Sequence, residues 1–219
     1  MGNDNSSYAV STQKLRYIES IQYNDMLLEL SMVVNNSNVQ AVVSNGKCAM
    51  CVLGHITQNG NTFHISSFNT TSDNKKQNCR GLGKALICWM LDKIEAKNVA
   101  TVTLDVNGEL NGQLLDNAEK KIAVMPDHAV ETQLRQCLKE SIKSKTKQQL
   151  KTILAKYLVA EKLAKHYERK YGFKRVDERD CLYISMKTTA ADIRARCAIN
   201  KKSNEITEIG NRSTALTLT

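Results

Sequence analysis

The sequence has few aromatic residues, 5% of 219, so rows of stacked side chains gripping a single-stranded nucleic acid are not a theme of the chain. No apolar run approaches the roughly 20 residues that a membrane helix needs. The polar first residues carry no secretory leader pattern. Internal repeats are absent, and proline occurs once, at Pro126. A second CxxC to complement Cys48-Ala49-Met50-Cys51 is also lacking, and no His pair lies close to it, so a tetrahedral metal set cannot be assembled there and no metal is expected. Those two cysteines fall in a strand-like run, where residues three apart point to opposite faces, so they read as strand cysteines rather than half a zinc site or a redox pair. Seven cysteines, an odd number scattered through the chain, point to reduced thiols and a cytoplasmic protein.

The chain does have the composition of a globular domain, 42% hydrophobic and 24% charged, and its length suits one domain with room for an insertion. A net charge of +9 favours polyanionic ligands: nucleotide phosphates, a nucleic acid backbone or an acidic partner protein. At the start, Met1-Gly2 with Ser6 matches the minimal N-myristoylation pattern, although an ordinary polar terminus, disordered to Ser7, reads the same way.

Lys14 to Ile21 reads as a strand, followed by a helix over Met26 to Val34 capped by Asn24 or Asp25. Gln40 to Ser44, Lys47 to Thr57 and Thr62 to Phe68 follow as three strands of an antiparallel meander, turned at Asn45-Gly46 and Asn59-Gly60-Asn61. Asn69 to Gln77 is a polar, mobile loop. The run Asn78-Cys79-Arg80-Gly81-Leu82-Gly83-Lys84 then leads into an amphipathic helix to about Lys97 through Ala85, Leu86, Trp89, Met90 and Ile94. A glycine-rich entry to a helix presents unpaired N–H groups and the positive dipole end, which suits a phosphate, and Arg80 and Lys84 add charge; a turn plus a core helix has the same pattern. Val99 to Val106 alternates as a strand, so strand, glycine turn, helix and strand form a βαβ unit with a parallel pair.

From Asn107 to Val159 the chain reads as a helical insertion. Pro126 and Asp127 mark a helix start, Leu134, Leu138 and Ile142 form a stripe, and Leu150, Ile153, Leu154, Tyr157 and Leu158 continue it. Lys139, Lys143, Lys145, Lys147 and Lys151 make it basic, either as a solvated face or as a docking surface for an acidic partner or nucleic acid. The last long helix ends at Tyr171-Gly172. Lys174 to Val176 and Cys181 to Met186 pair as a hairpin across Asp177 to Asp180. Ala190 to Ala198 is a short helix, and the rest is a loose polar tail.

Asn78 to Gly83 resembles the pyrophosphate-binding signature of the GNAT acyltransferase superfamily, (Gln or Arg)-x-x-Gly-x-(Gly or Ala), with Asn78 where Gln or Arg is usual. Ala164-Lys165-His166-Tyr167-Glu168-Arg169-Lys170-Tyr171-Gly172-Phe173 is similar to a second segment of that family. The resemblance implies an α/β (α+β) fold with a mixed, centrally splayed sheet flanked by helices. It would occupy residues 1–188, with the basic helical insertion at about 108–158 before the last family helix and a C-terminal helix and tail over 189–219. It further implies acyl-CoA, most simply acetyl-CoA, as co-substrate, with the pantetheine arm along Ile65, Ser66, Ser67 and Phe68 and the pyrophosphate on Asn78, Cys79, Arg80, Gly81, Leu82, Gly83 and Lys84. The reaction would be direct acyl transfer to an amine, possessing a base, a polarised carbonyl and an acid for the thiolate. The family's acid is a tyrosine at the position of Glu168; here Tyr167 falls one place early, about 100° away on a helix. His64 and Asp105 are the candidate bases, since an imidazole ordinarily titrates near neutrality. The alternative is a GNAT-shaped module that binds CoA or a partner macromolecule without catalysis.

Overall fold

The computed structural model describes residues 14–23, 26–71, 81–94, 98–110, 112–137, 145–180, 183–201 and 216–217. The N-terminal residues with the myristoylation pattern, most of the 69–77 loop, Asn78, Cys79 and Arg80 of the glycine-rich run, Leu138, Lys139, Ile142 and Lys143, and most of the C-terminal tail lie outside them.

The framework is one mixed sheet of nine strands in the order β7-β8-β6-β5-β4-β3-β2-β1-β9. β1 (Lys14–Tyr23), β2 (Met26–Asn35), β3 (Asn38–Ser44), β4 (Ala49–Ile56) and β5 (Thr62–Thr71) form a continuous antiparallel meander. The expected helix over Met26 to Val34 is therefore a strand. Leu28, Leu30, Met32 and Val34 alternate into the core and pair with both β1 and β3, and that tertiary pairing overrides local helical periodicity. Gly46, at φ +77°, makes the β3–β4 turn, and the Asn45 side chain accepts from the Lys47 and Cys48 N–H groups.

β5 leads through the glycine-rich turn to α1 (Leu82–Ile94) and then to β6 (Thr101–Asn107), which lies parallel to β5. After β6 a single 3-10 turn and α2 (Gly112–Ala123), α3 (Asp127–Cys137) and α4 (Lys147–Tyr171) follow. α2, α3 and the first half of α4 share a small core of their own, centred on Ile122, Val130, Leu134, Leu150 and Leu154. α4 continues unbroken from that core into the main one, where Ala160, Ala164 and Tyr171 are buried. A capping box joins Thr146 and Gln149 at its start, and Gly172, at φ +79°, closes its end. β7 (Lys174–Asp180), β8 (Tyr183–Thr189) and α5 (Ala190–Lys201) complete the domain. The tail expected to be loose contributes β9 (Leu216–Thr217), two residues paired with Leu15 and Arg16 at the sheet edge.

The main core lies on one face of the sheet. α1 packs over β3 and β4, and α4 over β6 and β8. On that face Met32, Ala41, Val52, Phe63, Val102 and Met186 are fully buried or nearly so. The alternate side chains, from Arg16 and Ile18 on β1 to Lys187 on β8, are exposed or half-buried, and no helix packs on them among the described residues. No described helix is long and apolar enough to cross a membrane.

The expectation of reduced thiols does not hold. Cys88 on α1 and Cys197 on α5 form a disulfide, and Cys48 is disulfide-bonded as well. The compositional argument for a cytoplasmic protein loses its basis, because disulfides persist in oxidising surroundings. Cys51 is a free thiol on β4, its pKa raised by burial. The two cysteines of the CxxC run are thus not paired with each other.

Candidate functional site at the fork of the sheet

β5 and β6 pair from Thr62 and Thr101 through Ile65 and Leu104, and no further. β5 then runs on beside β4 to Thr71, while β6 runs on beside β8 to Asn107. The strands part at Ser66 and Asp105, leaving a fork in the middle of the sheet. A register shift lies at the same place: Leu53 pairs with Ser67 but Gly54 pairs with Ile65, so Ser66 is an extra residue in β5. Such a bulge increases local twist and turns the strand away from its neighbour. Gly54 is required there, because a Cβ would sit 2.4 Å from the His64 carbonyl oxygen and 2.6 Å from the Phe63 ring.

The polar groups of the open face meet at the fork. His64 Nδ1 is 3.0 Å from Thr103 Oγ1, and its Nε2 is 4.0 Å from Asp105 Oδ2. Ser185 Oγ donates to Asp105 Oδ1 at 2.7 Å. The His55 ring lies 5.1 Å from the His64 ring, centroid to centroid. Sequence alone singles out His64 and Asp105; Thr103, Ser185 and His55 join them only through cross-strand register, which one strand does not carry.

On the covered face, α1 begins at Gly81, whose φ of +90° is a conformation other residues rarely adopt. Gly83 has a different reason to be glycine: a Cβ would lie 2.7 Å from the Phe68 ring and 3.1 Å from Met50 Cε. The α1 start is thereby seated directly on β5. Lys84 Nζ donates to the Arg196 carbonyl at 2.9 Å, and burial, with Lys170 and Arg196 nearby, pushes its pKa down. Lys170 on α4 and Arg196 on α5 thus lie near Lys84, the Arg196 Nη1 donating to the Arg169 carbonyl at the end of α4 at 3.2 Å. Lys170 and Arg196 could not be anticipated, because they lie 86 and more residues downstream of Lys84.

The two candidate acids on α4 have different surroundings. Glu168 accepts from Arg175 Nε at 2.8 Å, and Arg175 also forks onto Glu161 at 2.6 and 3.1 Å. Glu168 is thus engaged by Arg175 as a charge-assisted hydrogen-bond acceptor. Tyr167 packs against the main core between His166, Tyr171 and Phe173, and burial raises its pKa, so it keeps its proton at neutral pH.

Arg175→Met is expected to cost about 2 kcal/mol at pH 7, below the figure for a fully buried pair because all three side chains are partly exposed. The Arg175 hydrogen bond holds the Glu161 carboxyl below its ordinary value of 4.5. Its contribution is therefore present above about pH 4.5 and is lost as pH falls through the lower folded value. Urea melts at pH 7 and pH 3 should show the gap between parent and variant closing at the acid end.

No protein-family model matches the chain, and no curated protein matches it. Among solved structures, the chain is similar to Ard1 from Thermoplasma volcanium at 13% identity, covering 68% of this chain and 69% of that one with a TM-score of 0.35. A likeness at that level carries no argument, and the functional reading stands on the geometry of the fork.

Proposed function

We propose that the chain is an N-acyltransferase that moves an acyl group, most simply acetyl, from acyl-CoA directly to an amine. One observation carries the reading: two parallel strands part beside a glycine-started helix, with a histidine–aspartate pair on the open side of the fork. Among the described residues no strand pairs with β5 on its β6 side from Ser66 to Phe68, and that edge offers backbone N–H and C=O groups of the kind the amides of a pantetheine arm need. Gly81 to Lys84, with Lys170 and Arg196, offers positive charge and helix N–H groups of the kind a diphosphate needs.

In this reading the thioester lies in the fork. His64, held at Nδ1 by the Thr103 hydroxyl, takes a proton at Nε2 from the attacking ammonium, directly or through one water, and Asp105, 4.0 Å from Nε2, faces the imidazolium that forms. The amine nitrogen bonds to the acyl carbon, the carbon–sulfur bond breaks and the thiolate leaves, while the nitrogen gives its remaining surplus proton to water, from which the acid that protonates the thiolate is restored. Tyr167 is better suited than Glu168 to protonate that thiolate, since its hydroxyl holds a proton while Glu168 is engaged by Arg175.

The test is calorimetric titration of the full chain with acetyl-CoA, beside Lys84→Glu, followed by turnover against an amine library. Micromolar binding, at least tenfold weaker in the variant, is expected. No binding to acetyl-CoA or longer acyl-CoAs would overturn the reading. Binding without turnover on any amine would make the chain a CoA-binding module instead.

A further inference from the structure

The open face of the sheet carries a second feature that the transfer chemistry does not use. A depression of about 450 Å³ starts at the fork, where Ser66 and His55 line it, and crosses the strands over Leu53, Gln40 and Val33 toward Lys14 on β1. Register places these residues in rows across the sheet: Lys14 opposite Asn35, Asn35 opposite Asn38, Asn38 opposite His55, and His55 opposite His64. Every one of those side chains belongs to the face on which no described helix packs. The depression has an apolar floor in Val33 and Leu53, side-chain amides in Asn35 and Gln40, and a cation at its far end.

We infer that this groove is the acceptor site of the proposed transferase, and that the acceptor is an extended polypeptide segment carrying its reactive amine at the fork and an acidic side chain about six residues away, against Lys14. The inference rests on the acyl-transfer reading and extends it to substrate class. The floor suits a small apolar side chain, and primary amides pair with peptide N–H and C=O groups without selecting a sequence. Four strand spacings of about 4.8 Å separate β1 from β5, roughly 19 Å, which an extended chain covers in about six residues. A small amine would fill only the fork end of so long and open a groove. Charge selects the far residue: Lys14 stands at the end of the groove, Arg16 lies two residues further along β1, and the chain carries +9 overall.

The test uses the full chain, acetyl-CoA, a small primary amine and seven-residue peptides with one reactive amine at the first position. One set carries it as the free N-terminus, the other as a lysine side chain behind a blocked N-terminus. Glutamate at position six should give kcat/KM about tenfold above arginine there at low salt, the difference fading in 0.5 M NaCl. Lys14→Glu should reverse the preference and leave acetyl-CoA affinity unchanged. Lys187→Glu, on the opposite side of His64, should leave the preference alone. Equal transfer to peptides and small amines, no charge preference at position six, or a preference that Lys14→Glu does not move would each overturn the inference while acetyl-CoA still binds. Failure to bind acetyl-CoA would overturn the transferase reading itself, and this one with it.

Discussion

Cys197→Ser is expected to lower stability by about 3 kcal/mol, and the melting temperature by about 10 °C under non-reducing conditions. Its partner Cys88 lies 109 residues away in sequence, so the bond closes a loop that takes in β6, all of α2 to α4, β7 and β8. The chain-entropy relation gives about 4.7 kcal/mol for a loop of that length, and measured values more often fall at 2–4. The bond also backs a set of weaker ties between α1 and α5. Arg194 Nη2 donates to the Leu91 carbonyl at 3.0 Å, Arg194 Nε lies 3.7 Å from Asp92 Oδ1, and Lys84 Nζ reaches the Arg196 carbonyl. These hold α5 in place when the cross-link is removed, so the variant should remain folded and simply melt earlier. Cys88→Ser should give the same shift, and the double variant no more than either single one, because one bond is lost in all three. A Cys197→Ser chain melting within 1 kcal/mol of the parent would mean that the bond contributes no net stability in solution.

Much of the frame was legible because local signals and tertiary pairing agree over most of it. Asn45-Gly46 turns where such a pair should, Pro126 precedes a helix, Gly172 ends one, and the alternation of Thr101, Thr103 and Asp105 against Val102, Leu104 and Val106 is that of a half-covered strand. The failures have physical causes. Met26 to Asn35 is apolar at so many positions that it satisfies both a helical and a strand period, and the choice is made by β1 and β3 on either side. Asn24 and Asp25, read as a helix cap, lie outside the described residues, and Met26, expected to open a helix, instead pairs with Tyr23 as a strand residue. Disulfide pairing is a matter of distance in space, and Cys88 and Cys197 show no kinship in sequence. At the site, the identity of His64, Asp105 and Tyr167 could be read as candidates, but the difference between Tyr167 and Glu168 depends on Arg175, whose carboxylate partners on α4 are set by the β7 hairpin. The glycines divide the same way. Gly81 is where backbone conformation demands it, whereas Gly83 answers to Phe68 and Met50, contacts invisible in a G-x-G pattern.

Substitution at the fork separates chemistry from binding. His64→Gln is expected to lower kcat for acyl transfer about 100-fold while acetyl-CoA affinity stays within threefold of the parent. The imidazole points to the open face, between Thr103 and Asp105, away from the α1 start where the phosphates would sit. Its loss should therefore remove proton transfer from the ammonium and leave co-substrate binding alone, which is the signature of an interaction used in the transition state. Asp105→Asn keeps the size of the side chain and its hydrogen-bonding reach to Ser185, but it removes the charge 4.0 Å from His64 Nε2; a smaller loss, about tenfold in kcat, is expected. Raising the pH should recover part of the His64→Gln deficit, because a growing share of the acceptor amine is already unprotonated and needs no base. Tyr167→Phe should behave differently. Its deficit on a CoA thioester should stay within about tenfold, because a thiolate is a tolerable leaving group without an acid, and alkaline pH should not restore it. A His64→Gln enzyme with kcat within threefold of the parent at neutral pH would remove His64 from the chemistry and leave water, or the acceptor's own ionisation, to supply the free amine.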